Sequence, residues 1–320
     1  MEGTRERRFI PPCPMPRPVQ ILFLGTSGSW PTPKRNVSAI AVKRGPETLL
    51  FDCGEGTQRQ FMLSSLSFMQ VTRVFLTHFH GDHFLGLPGL IQSMSMNGRE
   101  KELLAFGPPG TEELVDALVN IGHFTSSFPV AAKGLKGGDE VDCGEYVVRA
   151  VETSHTVPAL GYALEERIRP GRFSLERATA LGVPEGPLYS RLQEGQSVSV
   201  GGRTVTADMV LGPPRRGRKI VYTGDTLPSN RVLEAARDAD VLIHDATADT
   251  ALVEKANRYG HSTGRQAAEI ARDANVRALI LTHVSPRYED TSTILADAKS
   301  VFANTYMAED FFQYDVAYPE

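Results

Sequence analysis

Between Thr77 and His83 the chain reads Thr-His-Phe-His-Gly-Asp-His. Three imidazoles and one carboxylate packed this closely make a donor set for a divalent transition metal. Zinc suits it best, and manganese or iron takes similar ligands. The stretch follows a largely apolar run, Val71 to Leu76, that reads as a buried strand. Alternate residues of an extended chain face the same way, so His78 and His80 can grip one ion. Asp82 and His83 fall where the chain turns, free to aim at a second. The competing reading is a polar surface loop that is merely rich in histidine.

Three more donors stand at the ends of strand-like runs. His155 follows the alternating run Tyr146 to Val151, Asp225 follows Lys219 to Gly224, and His283 follows Ala278 to Thr282. Loops at the ends of a rigid sheet are where ligand sites of layered α/β proteins assemble. Singly, each residue has an ordinary explanation: a structural histidine, or a Gly-Asp-Thr turn. The set is what points to a metal centre.

Five motifs tie the set to a family. They are Phe51-Asp52-Cys53-Gly54-Glu55-Gly56-Thr57-Gln58, the Thr77–His83 block, Pro184-Glu185-Gly186-Pro187-Leu188-Tyr189, Tyr222-Thr223-Gly224-Asp225-Thr226 and Gly260-His261-Ser262-Thr263. Together they resemble the metallo-β-lactamase superfamily, and within it tRNase Z, the endonuclease family that trims the 3′ end of precursor tRNA. The resemblance runs from about Gln20 to Tyr288 and onward toward the C-terminus. It implies an α/β fold: an αββα sandwich of two mixed β-sheets with outer helices and a protruding arm. It further implies a zinc-dependent endoribonuclease that leaves a tRNA 3′-hydroxyl and a 5′-phosphorylated trailer. A small-molecule phosphodiesterase or sulfatase of the same fold is the alternative.

The resemblance also assigns roles. Two zinc ions per subunit are expected, one on His78, His80 and His155, the other on Asp82, His83 and His283, with Asp225 bridging. Asp82 can take a proton from the attacking water with its second oxygen and is the candidate general base. His261 is expected to serve the leaving 3′ oxygen, oriented by a carboxylate at Asp245, where the family more often has Glu. Without that role, His261 is only a residue beside a helix start capped by Ser262 or Thr263. Asp52 is expected to orient a ligand histidine. Lys34, Arg35 and Asn36 resemble the loop that meets the acceptor end, with Pro33 standing where the family pattern has the lysine. Trp30 beside that loop can stack on a base or pack inside. The family also implies a homodimer.

Composition sets the outer limits. The chain has 320 residues, 41% hydrophobic and 22% charged, enough for a sizeable core. No apolar run approaches the ~18 residues that span a membrane. The charged start, Met1 to Arg8, has no apolar signal core. Cys13, Cys53 and Cys143 are odd in number and far apart, which suits a reducing cytoplasm rather than a disulfide framework. A net charge of −4 does not advertise an RNA binder. Local basic clusters do exist, at Arg167, Arg169 and Arg172 and again at Arg215, Arg216, Arg218 and Lys219.

Residues 1–18 read as a Pro- and Arg-rich tail, and 19–320 as one metallo-β-lactamase domain. Strands are expected at Val19–Leu24, in a hairpin of Ala39–Val42 with Thr48–Phe51, and at Glu102–Phe106 and Val241–His244. Helical patterns cover Gly56–Ser64, His83–Met96, Glu112–Ile121, Arg231–Ala239 and Thr263–Ala274. Strands come both in pairs and alternating with helices, which suits a two-sheet sandwich with helices outside. Residues 165–217 break the pattern with Gly-, Pro- and Arg-rich segments around one helix, Ser174–Leu181, and short strand-like pieces. The resemblance makes this stretch a tRNA-binding arm, with Gly186, Pro187, Arg215 and Arg216 as candidate contacts.

Overall fold

The computed structural model describes residues 19–319, so the expected tail, residues 1–18, lies outside the described residues. The strands are β1 (Val19–Gly25), β2 (Ala39–Arg44), β3 (Glu47–Phe51), β4 (Val71–Phe75), β5 (Leu103–Gly107), β6 (Val130–Gly134), β7 (Glu140–Asp142) and β8 (Tyr146–Glu152). They continue with β9 (Leu160–Glu166), β10 (Val198–Val200), β11 (Arg203–Val205), β12 (Lys219–Tyr222), β13 (Val241–Asp245), β14 (Leu279–Thr282), β15 (Thr305–Met307) and β16 (Gln313–Val316). One seven-stranded sheet has the order β16-β1-β2-β3-β4-β5-β6 and the other β15-β14-β13-β12-β9-β8-β7. Both are mixed. β1, β2 and β3 pair antiparallel and β3 to β6 parallel, while β9 meets β12 antiparallel and β12 to β15 run parallel.

The period-2 alternation of the strands sorts their side chains into two layers of core. Val19, Ile21 and Phe23 of β1 face β9, β12 and β13 residues such as Tyr162, Tyr222 and Ile243 between the sheets. Leu22 and Leu24 point the other way, onto Leu87, Leu90, Ile91 and Met94 of an outer helix. Behind the second sheet, Leu242, Leu279 and Leu281 pack on Ala267, Ala268 and Ala271 of the helix Gly264–Asp273. Small alanines let that helix lie close to the sheet. The result is the expected αββα sandwich.

The expected helices are present, one of them broken in two, while Val253–Arg258 and Ser292–Lys299 are helices that were not expected. The stretch His83–Met96 is two helices, Gly81–Phe84 and Leu87–Met96. The break falls at Gly86, whose α-carbon sits so near the Gly54 carbonyl that a Cβ would lie 2.0 Å from it. Thr263, not Ser262, caps the helix Gly264–Asp273, in a capping box with Gln266. Strands β6, β7, β9, β15 and β16 were not expected, because short runs such as Thr305–Met307 carry too little alternation to read.

Residues 166–217 form a compact unit of their own. It has a small core of Ala178, Val183, Leu192, Val198, Val205 and Val210. The expected helix is there as Leu175–Ala180, capped by Ser174, and β10 pairs with β11 as a hairpin. Pro187–Gln193 is a second helix that a Gly-Pro reading misses, although Pro suits the first turn.

The centre of the sandwich generates a stability prediction. Phe75 is fully buried and stacks on Phe51 and Phe106 at 5.2 and 5.1 Å between centroids. Phe75→Ala is expected to lower unfolding free energy by about 3–5 kcal/mol in a denaturant titration. A loss below about 1 kcal/mol would contradict this packing.

Candidate metal centre

Five strand ends deliver the donors. Thr77–His83 follow β4, His155 follows β8, Asp225 follows β12, Asp245 closes β13 and His283 follows β14. Backbone hydrogen bonds lock the loops together: Leu160 N donates to Thr77 O at 2.8 Å, Leu227 N to Ser154 O at 2.8 Å and Gly28 N to Val284 O at 3.0 Å. His283 itself has φ +59°, and Asp52 φ +57°, a left-handed conformation that non-glycine residues adopt rarely and that clusters at functional sites.

All seven predicted metal ligands converge. His78, His80, His155 and Asp225 have donor atoms within 4.8 Å of one another, and so do Asp82, His83 and His283. His80 Nδ1 lies 3.0 Å from His78 Nε2 and 3.3 Å from His155 Nε2. His83 Nε2 lies 3.4 Å from His283 Nε2. Asp225 sits in the middle, 2% exposed, with Oδ2 3.6 Å from His78 and 3.4 Å from His83 and Oδ1 3.2 Å from His283.

Proton positions decide what these contacts mean. His155 Nδ1 faces the Gly260 carbonyl at 2.9 Å and therefore carries the hydrogen. His83 Nδ1 faces Asp52 Oδ2 at 2.8 Å. Thr77 Oγ1 donates to the same Asp52 oxygen at 3.0 Å, so it accepts from His78 Nδ1, also at 3.0 Å. Thr247 Oγ1 donates to Asp245 Oδ1 at 2.7 Å and accepts from His283 Nδ1 at 3.1 Å. Each of these four histidines thus presents a bare Nε2 to the centre.

In these tautomers the Nε2 atoms of His83 and His283 cannot hydrogen-bond each other. Donors around a tetrahedral cation at ~2.1 Å stand ~3.4 Å apart, which is the spacing seen. Asp225 Oδ1 is buried and has no hydrogen-bond partner among the described residues. An orphaned carboxylate oxygen among imidazoles fits a cation better than any purely protein arrangement. The residues present therefore fit a two-metal site.

The electrostatics agree. Burial and the neighbouring His83 push His78 well below its ordinary pKa, and burial likewise lowers His155, keeping both in the neutral form that ligates. Burial would lower His83 too, but the Asp225 and Asp52 carboxylates outweigh it and raise its affinity for a proton. A cation competes with that proton for the same nitrogen. Burial works against ionisation of Asp225, and His283 and His83 overcome it, holding the carboxyl well below its usual range.

Asp82 and His261 flank the centre. Asp82 Oδ2 accepts from Ser29 N at 2.6 Å and lies 3.4 Å from His283 Nε2. His261 Nδ1 meets Asp245 Oδ2 at 3.0 Å, so the shorter aspartate reaches the histidine. Burial would lower the His261 pKa, but Asp245 overrides it and lifts the value to about 9. Asp245 is fully buried and also accepts from the backbone N–H of Ser262, Thr226 and Thr247. Asp52 accepts from Thr77 N at 2.7 Å and from Tyr222 Oη at 2.8 Å, besides facing His83.

The remaining predicted residues have partners of their own. Arg35 Nη1 donates to Thr26 Oγ1 at 2.8 Å and to the Ala308 carbonyl at 2.6 Å, and Asn36 Nδ2 donates to the Glu55 carbonyl at 2.8 Å. These donors shape the loop, while Lys34 is exposed. Gly186 and Pro187 open a helix in the separate unit, where Arg215 Nε donates to the Pro170 carbonyl and Arg216 is exposed. Arg218 leaves the basic cluster altogether: it is buried, stacked 3.8 Å over Tyr318.

Sequence reasoning missed Thr77, Thr247, Tyr222 and Gly260 as supports. Gly260 had a legible signal only as part of a motif; a Cβ there would lie 2.7 Å from His155 Nδ1. The threonine link to His283 yields a prediction. Thr247→Val, nearly isosteric, is expected to weaken binding of a divalent metal through His283 about 10–100-fold in a competition titration against a chelating dye. Unchanged affinity would contradict the link.

A family model described as anti-Pycsar protein Apyc1 matches residues 19–164, and one described as beta-lactamase superfamily domain matches 192–284. The chain is 50% identical over 301 residues to ribonuclease Z of Methanosarcina acetivorans, covering 94% of this chain and 99% of the relative. It is 48% identical to ribonuclease Z of Archaeoglobus fulgidus, again over 94% and 99%. Among solved structures it is similar to the short form of human tRNase Z, with TM-score 0.68, 27% identity and coverage of 93% and 99%. A metallo-beta-lactamase fold protein of Bacillus subtilis, YhfI, also reaches 0.68, at 18% identity, and speaks for the fold alone. Half identical to relatives that it spans almost end to end, the chain belongs to the ribonuclease Z family.

Proposed function

We propose that this protein is a dizinc endoribonuclease that removes the 3′ trailer of precursor tRNA, leaving a tRNA 3′-hydroxyl and a 5′-phosphorylated trailer. The carrying observation is a complete set of seven converging donors, four of them buried, in a chain half identical to ribonuclease Z. His78, His80 and His155 would hold one ion, Asp82, His83 and His283 the other, with Asp225 shared. Bound zinc supplies electrostatic stabilisation of a phosphate and a water that ionises near neutral pH.

The chain's own groups do the rest. Asp82, with Oδ2 fixed by Ser29 N, accepts the proton of the attacking water. His261, whose affinity for a proton Asp245 raises, gives its proton to the leaving 3′ oxygen. Asp245 positions His261 directly and His283 through Thr247. Asp52 does the same for His83 directly and His78 through Thr77. In this reading the loop of Lys34, Arg35 and Asn36 meets the acceptor end. Residues 165–217, as an arm inserted in the domain 19–320, grip the body of the tRNA through Gly186, Pro187, Arg215 and Arg216. The family resemblance supports a homodimer working in the cytoplasm. Among the described residues Cys53 and Cys143 are free thiols and no helix is long and apolar enough to cross a membrane.

The test is a 3′-extended tRNA transcript, incubated with the full chain and with a variant whose residues 167–216 are replaced by a short Gly-Ser linker. The full chain is expected to cut beside the discriminator base, to lose activity to a chelator and to regain it with zinc. The shortened variant is expected to lose at least about 100-fold in tRNA cleavage, the scale of lost substrate positioning, while still hydrolysing bis(p-nitrophenyl) phosphate. Equal retention of both activities would contradict the tRNA reading.

A further inference from the structure

A cavity of about 590 Å³ opens beside the metal centre, with His155 and His261 in its wall. Its other notable lining residues are Trp30, Tyr259, Lys255 and Arg287. Trp30 is 62% exposed and Tyr259 59% exposed, so neither ring is spent on the core. Large aromatics held this far in water, on the rim of one concave site, are faces waiting for a flat partner.

Both rings are held by short, fixed pieces of backbone. Ser27 Oγ donates to Trp30 O at 2.9 Å and Trp30 N to Gly28 O at 2.8 Å. The residue before Trp30 donates its N–H to Asp82. Tyr259 N donates to Ala256 O at 3.0 Å, and the residue after Tyr259 accepts from His155. Each aromatic is therefore one residue away from a group that touches the metal donors. Lys255 and Arg287 add two cations to the same wall, and Arg287 Nε is steadied by Ser285 Oγ at 3.0 Å. Stacking faces beside cations are how proteins hold an unpaired nucleotide without regard to its sequence, because every base has a π-face.

We propose that this cavity receives an unpaired nucleobase adjoining the scissile phosphate, with Trp30 and Tyr259 as its stacking faces and Lys255 and Arg287 meeting the flanking phosphate. The proposal rests on the RNA reading above for the identity of the strand. It adds that the enzyme grips the single-stranded junction by stacking, which tolerates trailers of any sequence.

Trp30 is the only tryptophan in the chain, so intrinsic fluorescence reports on it directly. The zinc-loaded full chain is titrated with adenosine 5′-monophosphate and, separately, with ribose 5-phosphate, which has the phosphate but no base. Saturable quenching by the nucleotide alone is expected. Tyr259→Ala should move the nucleotide midpoint about tenfold higher, the scale on which one stacking face acts, and Tyr259→Phe should restore it. With a 3′-extended tRNA, Trp30→Ala should raise KM about tenfold more than it lowers kcat, with Trp30→Phe close to wild type. Equal responses to both small ligands, no response to the nucleotide, or an unmoved midpoint in Tyr259→Ala would overturn the proposal. If the wild-type chain leaves precursor tRNA uncut, the assignment of substrate fails, and the fluorescence arms still judge the cavity.

Discussion

Imidazole nitrogens converging at 3.0–3.4 Å, around a buried carboxylate with one oxygen that has no hydrogen-bond partner among the described residues, are the constraint on which everything else depends. A buried carboxylate oxygen without a hydrogen bond is costly. A divalent cation held by these donors would turn that liability into a bond. The tight loops, the left-handed Asp52 and His283, and the glycines that admit imidazole rings all serve to hold this arrangement. Such strain persists only where the surrounding structure over-determines it.

Two buried carboxylates provide that determination, one from each sheet. Asp52, at the end of β3, fixes His83 directly and His78 through Thr77. Asp245, at the end of β13, fixes His261 directly and His283 through Thr247. Neither stands alone. Tyr222 of the second sheet reaches across to Asp52, and Tyr162 reaches the Leu76 carbonyl at 2.6 Å, so hydroxyls from one sheet set the strand ends of the other. The core between the sheets and the chemistry at their edge are thus one construction. Moving β4 against β12 would disturb both.

The donors themselves were legible because metal chemistry admits few residue types and places them at strand ends. His78, His80, His83, His155, Asp225 and His283 each follow a recognisable apolar run. Their supports were not legible, since a threonine relay depends on which hydroxyl faces which ring and leaves no spacing in the sequence. Thr77 and Thr247 read as ordinary loop residues. Arg35, Asn36 and Arg218 carry contacts that were equally hidden. Each donates to a backbone carbonyl of this chain, a link that no motif in the sequence announces. Trp30 was ambiguous between packing and stacking, and its exposure removes the packing role. Short edge strands such as β15 escaped because their pairing is set by neighbours far away in the chain.

Anomalous diffraction from zinc-loaded crystals, recorded on both sides of the zinc absorption edge, tests the central claim most directly. Two peaks are predicted in each chain, one among His78, His80 and His155 and one among Asp82, His83 and His283, with Asp225 in contact with both. A single peak, or a peak away from these side chains, would contradict the account.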